Sequence, residues 1–280
     1  MKTSRLAVLS LAAALLSAPA LAANKVSFKD PTGDDNGPGK YSYPTDVVYK
    51  RGSFDLTDFT FEKKGNKADI TLGFNTTLED PWKTTSGFSV QMVFIFIDTD
   101  GKEGSGSTDS LPGLNVKFAP NNGWEKVIVI SPQNSARVKA EVGSKAGAAK
   151  DNVLVPTRTK GSGRKVTATV DLAGLEGDPS QWGFQVLVQS NEGFPAGNDL
   201  LTRKVNEYEG QHRFGGGNDG DCDPHVMDML AGEGKGDASE TKAQHEMLSY
   251  ECAEDGSAKK PATLTMVGGT AKPAAAEEQK

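Results

Sequence analysis

Three aspartates, Asp30, Asp34 and Asp35, crowd the turn-rich stretch Asp30-Pro31-Thr32-Gly33-Asp34-Asp35-Asn36-Gly37-Pro38-Gly39-Lys40-Tyr41-Ser42-Tyr43-Pro44-Thr45-Asp46. Carboxylates this close repel one another unless water solvates them or a cation neutralises them. Ca²⁺ suits such a segment, because it takes about six to eight oxygen ligands from a flexible wrap. Glycine supplies the positive φ angles of that wrap and proline sets its remaining turns. The spacing thus predicts a calcium site with Asp30, Asp34 and Asp35 as its acidic core and backbone carbonyls completing the shell. The plainer alternative is a polar loop that binds nothing.

A second kind of chemistry is offered by rings. The apolar face of a pyranose stacks on indole or phenol, so Trp82, Tyr41 and Tyr43 are the candidate ligand-binding residues. Trp82 follows Pro81 in a loop and is the better surface candidate. Trp124, Trp182 and Tyr49 fit a core equally well, since strand-borne aromatics usually pack inside.

Other groups point to no reaction. Asp98-Thr99-Asp100-Gly101 opens like a calcium loop, but Glu103 stands where an EF-hand needs glycine and Asp109 replaces its closing glutamate. Asn218 to Asp223 is also acidic and tight, and Pro224 breaks the same pattern. His212, His225 and His245 form no zinc-binding pair. Nucleophile elbow, phosphate loop and dinucleotide fingerprint are missing, so no catalytic role is expected. Cys222 and Cys252 are the chain's two cysteines. In an oxidising compartment they are expected to pair, closing a long loop.

That compartment is read from the first residues. Lys2 and Arg5 precede the apolar run Leu6 to Leu16, and Ala20-Leu21-Ala22 fits a signal-peptidase site. Residues 1–22 are therefore expected to be a signal peptide, with a periplasmic or secreted mature protein. No later run is long enough for a membrane span. The full sequence carries a net charge of −6 and no basic stripe, which argues against a nucleic-acid partner.

The elements that must position these groups are mostly strands. Thirty-two glycines and fourteen prolines favour strands and loops over helices. Phe54 to Phe61 reads as a strand with a slip near Asp58, and Ala68, Ile70, Leu72 and Phe74 alternate as its partner. Phe88 to Ile97 is apolar on both faces, as a central strand should be. Trp124 to Ile130, Arg137 to Val142, Lys165 to Leu172 and Phe184 to Ser190 read as further strands. Helices are expected late, a short one at His225 to Ala231 and a longer one at Ser239 to Tyr250, opened by Asp237 and Glu240 at capping-box spacing. The pattern predicts an all-β, antiparallel sandwich with a short helical C-terminal appendage, spanning residues 23–252. Residues 253–280 are rich in Ala, Pro, Lys and Glu and are expected to be disordered, except for a small apolar patch at Leu264 to Val267.

Several blocks, taken in order, resemble one family. Asp30 to Thr45 is similar to the opening motif of the C-terminal binding-module family of glucodextranase. Phe54-Asp55-Leu56-Thr57, Pro81-Trp82, Gly87 to Gln91, Ile97 to Asp100, Gly215-Gly216-Gly217 and Asp223 to Leu230 resemble its later blocks, and Gln244 to Tyr250 its closing helix. The resemblance runs from about Val26 to Tyr250. It implies a jelly-roll-like sandwich related to DOMON-like and family-9 carbohydrate-binding modules. Such modules are non-catalytic, bind polysaccharide or cell-envelope glycan, and often hold a structural calcium. A second class stays open, because some DOMON-like sandwiches bind haem for electron transfer. Met92, on the central strand, is the residue to test as an axial ligand, against the plainer reading of core filler.

Overall fold

Residues 24–195 and 197–269 are described by a computed structural model. The expected signal peptide, residues 1–22, and the last residues of the tail lie outside them. Alternating apolar residues build two five-stranded sheets. The first has the order β1 (Lys25–Lys29), β2 (Leu56–Lys64), β3 (Lys67–Phe74), β9 (Lys165–Asp171) and β8 (Arg158–Ser162), all antiparallel neighbours. The second has the order β11 (Asp228–Met229), β10 (Gly183–Ser190), β4 (Gln91–Asp98), β6 (Lys126–Ile130) and β7 (Val153–Leu154), antiparallel except for β6 with β7.

The sheets face each other across the main core. Phe59, Phe61, Ile70, Leu72, Val166 and Val170 of the first sheet are buried in one cluster with Val93, Ile95, Ile97, Ile128, Phe184 and Val186 of the second. The expected slip in β2 is a β-bulge: Leu56 pairs with Phe74 and Asp58 with Gly73. It lets Phe54 and Leu56 on one side, and Phe59 and Phe61 on the other, all turn inward although their spacing changes parity.

The strand β4 is buried along its whole length because it has a core on each face. Met92, Phe94 and Phe96 turn away from the sandwich into an outer core with Leu114, Phe118, Trp124, Val138, Val142, Leu200, Leu248 and Leu264. Met92 is thus fully buried filler within that outer core.

Three expectations are corrected here. Arg137 to Val142 lies not in a strand but in helix α1 (Ser135–Lys145). Val138 and Val142 fit either period, and the cap decides: the Asn134 carboxamide oxygen accepts the Arg137 N–H at 2.9 Å. We expect Asn134→Ala to cost about 1 kcal/mol of unfolding free energy, measured by denaturant titration; an unchanged midpoint would remove the cap from the argument. His225 to Ala231 is not a helix but an extended, wholly buried segment containing β11. A short run that is apolar on all sides has no amphipathic period to identify it. The chain after residue 252 is ordered as far as residue 269. Strand β13 (Ala258–Lys260) pairs with β12 (Glu251–Cys252), and β14 (Ala262–Leu264) runs parallel to β5 (Val116–Phe118). The apolar patch explains this, since Leu264, Met266 and Val267 are buried against the two cores. The late helix α2 (Ala238–Met247) forms with the expected capping box between Asp237 and Glu240.

Candidate cation centre and binding cleft

The segment after β1 folds over the end of the second sheet. The Asn36 carbonyl accepts the N–H groups of Gly39, Lys40 and Tyr41 and makes a tight turn. Gly37 has φ +60° there, and a Cβ on it would lie 2.3 Å from the Tyr41 ring, so only glycine fits. Helix α2 clamps this turn: the Gln244 side chain donates to the Asp34 carbonyl at 2.6 Å, and the Thr241 hydroxyl to the Asp34 carboxylate at 2.9 Å. Glu240 holds the approach to the helix by accepting the N–H groups of Glu233, Lys235, Gly236 and Asp237.

The result is a buried carboxylate cluster whose membership differs from the expected one. Asp30 and Asp34 belong to it. The third member is Asp228 of β11, with one oxygen from each lying within 4.8 Å of the others. Asp35 turns away, and its carboxylate accepts the Tyr43 hydroxyl. Asp228 accepts the N–H groups of Leu56 at 2.7 Å and Met229 at 2.9 Å. Both oxygens of Asp30 and one of Asp34 are buried with no hydrogen-bond partner, as is one oxygen of the nearby Asp55. Burial, then the charges of Asp34, Glu240 and Asp55, hold the Asp30 carboxyl well above the usual range. Burial and the charges of Asp30 and Asp34 do the same for Asp228. Asp34 is raised chiefly by burial, against the Thr241 hydrogen bond. Burial pushes Asp55 up to about 6, with Asp35 and Asp34 adding to it. Orphaned hard oxygens in a like-charged pocket match the donor set of Ca²⁺. A lone aspartate inside the apolar run Val226-Met227-Asp228-Met229-Leu230 was the sequence signal for the missed member.

The other acidic turns are answered differently. Asp98 accepts the N–H groups of Asp100 and Gly101, closing the turn after β4, although Asp98, Asp100 and Glu125 also bring their carboxylates together. In the loop before β11, Asp221 pairs with Lys204 at 2.7 Å and lies 3.0 Å from His225. Cys222 and Cys252 are joined in a disulfide, with Cα atoms 5.4 Å apart.

The three candidate rings are divided by the fold. Tyr41 is buried, its hydroxyl donating to Pro224 O at 2.5 Å and to Asp223 at 3.2 Å. Tyr43 packs edge-on against Phe54 and Phe214. Tyr41 is thus sealed and Tyr43 half-buried, and both sit in the seam between the N-terminal segment and the sandwich. Trp82 is 37% exposed and lines a cleft of about 660 Å³. Asp80 holds its loop, accepting from the Thr84 N–H and hydroxyl, the Thr85 N–H and the Ser89 hydroxyl. Burial opposes ionisation of Asp80, but these hydrogen bonds outweigh it and keep its pKa below the ordinary value. Lys83 and Thr85 in this loop adopt positive φ, a conformation that Asp80 stabilises.

Across the cleft stands Phe194, 92% exposed, which the sequence reading missed. The Arg137 guanidinium lies over its ring, 5.9 Å from the centroid. Beneath, Arg203 pairs with Glu192 at 2.6 Å and covers Tyr49, which meets Trp82 edge-on. Asn191 is fully buried at the floor and donates to Ser89 O at 3.0 Å. Two exposed rings flank fixed polar groups, an arrangement that can stack an apolar ring face and hydrogen-bond polar substituents.

The family model for the C-terminal, SLH-like binding module of glucodextranase matches residues 26–267. No curated protein matches the chain.

Proposed function

The chain belongs to the family of the C-terminal, SLH-like binding module of glucodextranase, and we propose that it is an exported, non-catalytic module that binds a polysaccharide or cell-envelope glycan in the Trp82 cleft. The observation carrying this reading is the pair of exposed rings, Trp82 and Phe194, on the rim with Asn191, Glu192 and Arg203 below. Apolar surface rimmed by polar groups is what binding grooves present, and two exposed rings facing one polar cleft fit that description. The disulfide supports an oxidising location outside the cytoplasm, and the leading segment supports export to the periplasm or beyond. A structural Ca²⁺ held by Asp30, Asp34 and Asp228 would pin the N-terminal segment to β11 and α2. Its part is to neutralise buried charge; it takes no part in glycan contact.

Trp82→Ala is expected to weaken glycan binding about tenfold or more, the loss of one stacking ring, while the melting temperature moves little. Retention assays on immobilised polysaccharides measure this directly. Equal retention of wild type and variant on every bound glycan would remove the cleft as the site.

A further inference from the structure

We propose that the cleft selects an acidic glycan, one whose residues carry hexuronate carboxylates. This rests on the glycan reading above and adds the chemical class of the sugar. The charges lining the cleft are Lys83, Arg137 and Arg203 against the single carboxylate Glu192, with His212 at the rim. The excess is positive in a chain whose net charge is −6.

The cations are not equally free. Arg203 is consumed, one amino group by Glu192 and another by the His212 carbonyl at 2.6 Å. Arg137 is held by neutral acceptors, Gln133 Oε1 at 3.3 Å and the Gly193 carbonyl, and forms a loose ion pair at 3.9 Å with Glu141, which Lys145 engages more closely at 2.8 Å. Neutral acceptors orient a guanidinium without cancelling its charge. Lys83 is exposed and makes no ion pair among the described residues. Gln133, the cap residue Asn134 and Arg137 of α1 line the same wall, and the first turn of α1 contains no acidic residue. The positive end of the helix therefore adds to Lys83, which is unpaired among the described residues, and to Arg137, whose charge Glu141 offsets only in part.

A neutral sugar needs rings and hydroxyl partners, and both are present without these charges. Placing two like charges in one concave wall raises the energy of the empty cleft and concentrates anions within it. A carboxylate on a sugar stacked between Trp82 and Phe194 would meet Arg137 and Lys83 from the ring side. A guanidinium already oriented by two acceptors loses little entropy on taking a further oxygen.

The test uses matched pairs: oligomers of galacturonate, of alginate and of hyaluronan, each beside its carboxyl-reduced neutral counterpart, titrated calorimetrically into the full mature protein. At least one acidic oligomer should bind about tenfold or more tightly than its reduced partner, the effect of one charge-assisted contact. The preference should shrink steadily as ionic strength rises, because the Debye length falls from about 10 Å at 0.1 M salt to about 3 Å at 1 M. Lys83→Gln, a change at an exposed loop residue, and Arg137→Gln should each weaken the acidic oligomer more than its neutral partner and so narrow the preference. Equal binding within every pair, with Trp82→Ala still weakening both members, overturns the acidic assignment and leaves the glycan site standing. If no oligomer binds and no immobilised polysaccharide retains the protein, both readings fall together.

Discussion

Metal-free protein should lose stability as the pH rises from about 4 to 7, and Ca²⁺ should abolish that loss. The folded-state pKa values of Asp30, Asp34 and Asp228 lie above ordinary aspartate values, and that of Asp55 is near 6. A carboxyl whose pKa is raised by folding binds more protons in the native state than in the unfolded chain. Its contribution is fully present below the unfolded value and is lost as pH climbs through the folded one. The window therefore opens near the ordinary aspartate range and extends through about 6 for Asp55 and beyond it for groups raised further. This slope is opposite to the usual acid denaturation, so it is diagnostic. A bound Ca²⁺ replaces the missing protons and should raise stability by about 2.7 kcal/mol at a free concentration a hundred times Kd. Mg²⁺, with its small octahedral shell, should do less. Asp34→Ala should lose most of the response. Asp228→Asn should flatten the pH slope in EDTA and also lose the response to Ca²⁺, because it imitates the protonated state. Thermal melts across pH, with EDTA and with millimolar Ca²⁺, give the answer. A melting temperature indifferent to both pH and chelation would reduce the cluster to a set of buried protonated acids.

The double variant Cys222→Ser, Cys252→Ser should be less stable by about 3–4 kcal/mol, the chain-entropy value for a loop of this length. The bridge spans 30 residues and joins the loop before β11 to the strap that carries β12, β13 and β14. That strap covers the outer core with Leu264 and Met266, and Val267 exchanges hydrogen bonds with Phe184 of β10. Opening it would therefore uncover apolar surface on β4 and β10 as well as relax the unfolded chain. Guanidinium titration measures the loss, and hydrogen exchange at residues 262–267 should accelerate before the main sheets respond. Unchanged stability in the variant would mean that packing alone holds the strap.

Local pattern made much of the fold legible. The two-residue alternation of Ala68, Ile70, Leu72 and Phe74 marked β3, and the doubly apolar run ending at Ile97 marked β4 as a strand covered on both sides. The parity change near Asp58 marked the bulge, and Asp237 with Glu240 marked the start of α2. These signals survive because each depends on neighbours a few residues apart. They failed where the local pattern was degenerate: Val138 and Val142 suit a helix or a strand, and Val226 to Leu230 suits neither period.

The sites divide along the same line. Crowded aspartates, a loop tryptophan and the chain's two cysteines were determined by the sequence alone, as residue types whose chemistry needs few assumptions. Which of them meet was decided by tertiary structure. Asp228 replaces Asp35 because β11 docks beside β10 and carries a carboxylate back to the turn after β1, while Tyr43 draws Asp35 away. Tyr41 and Trp82 look alike as aromatic candidates, yet one is sealed under the N-terminal segment and the other stands at a cleft completed by Phe194 and Arg137. Burial and proximity between distant residues follow from how sheets and straps pack, and no local spacing encodes them.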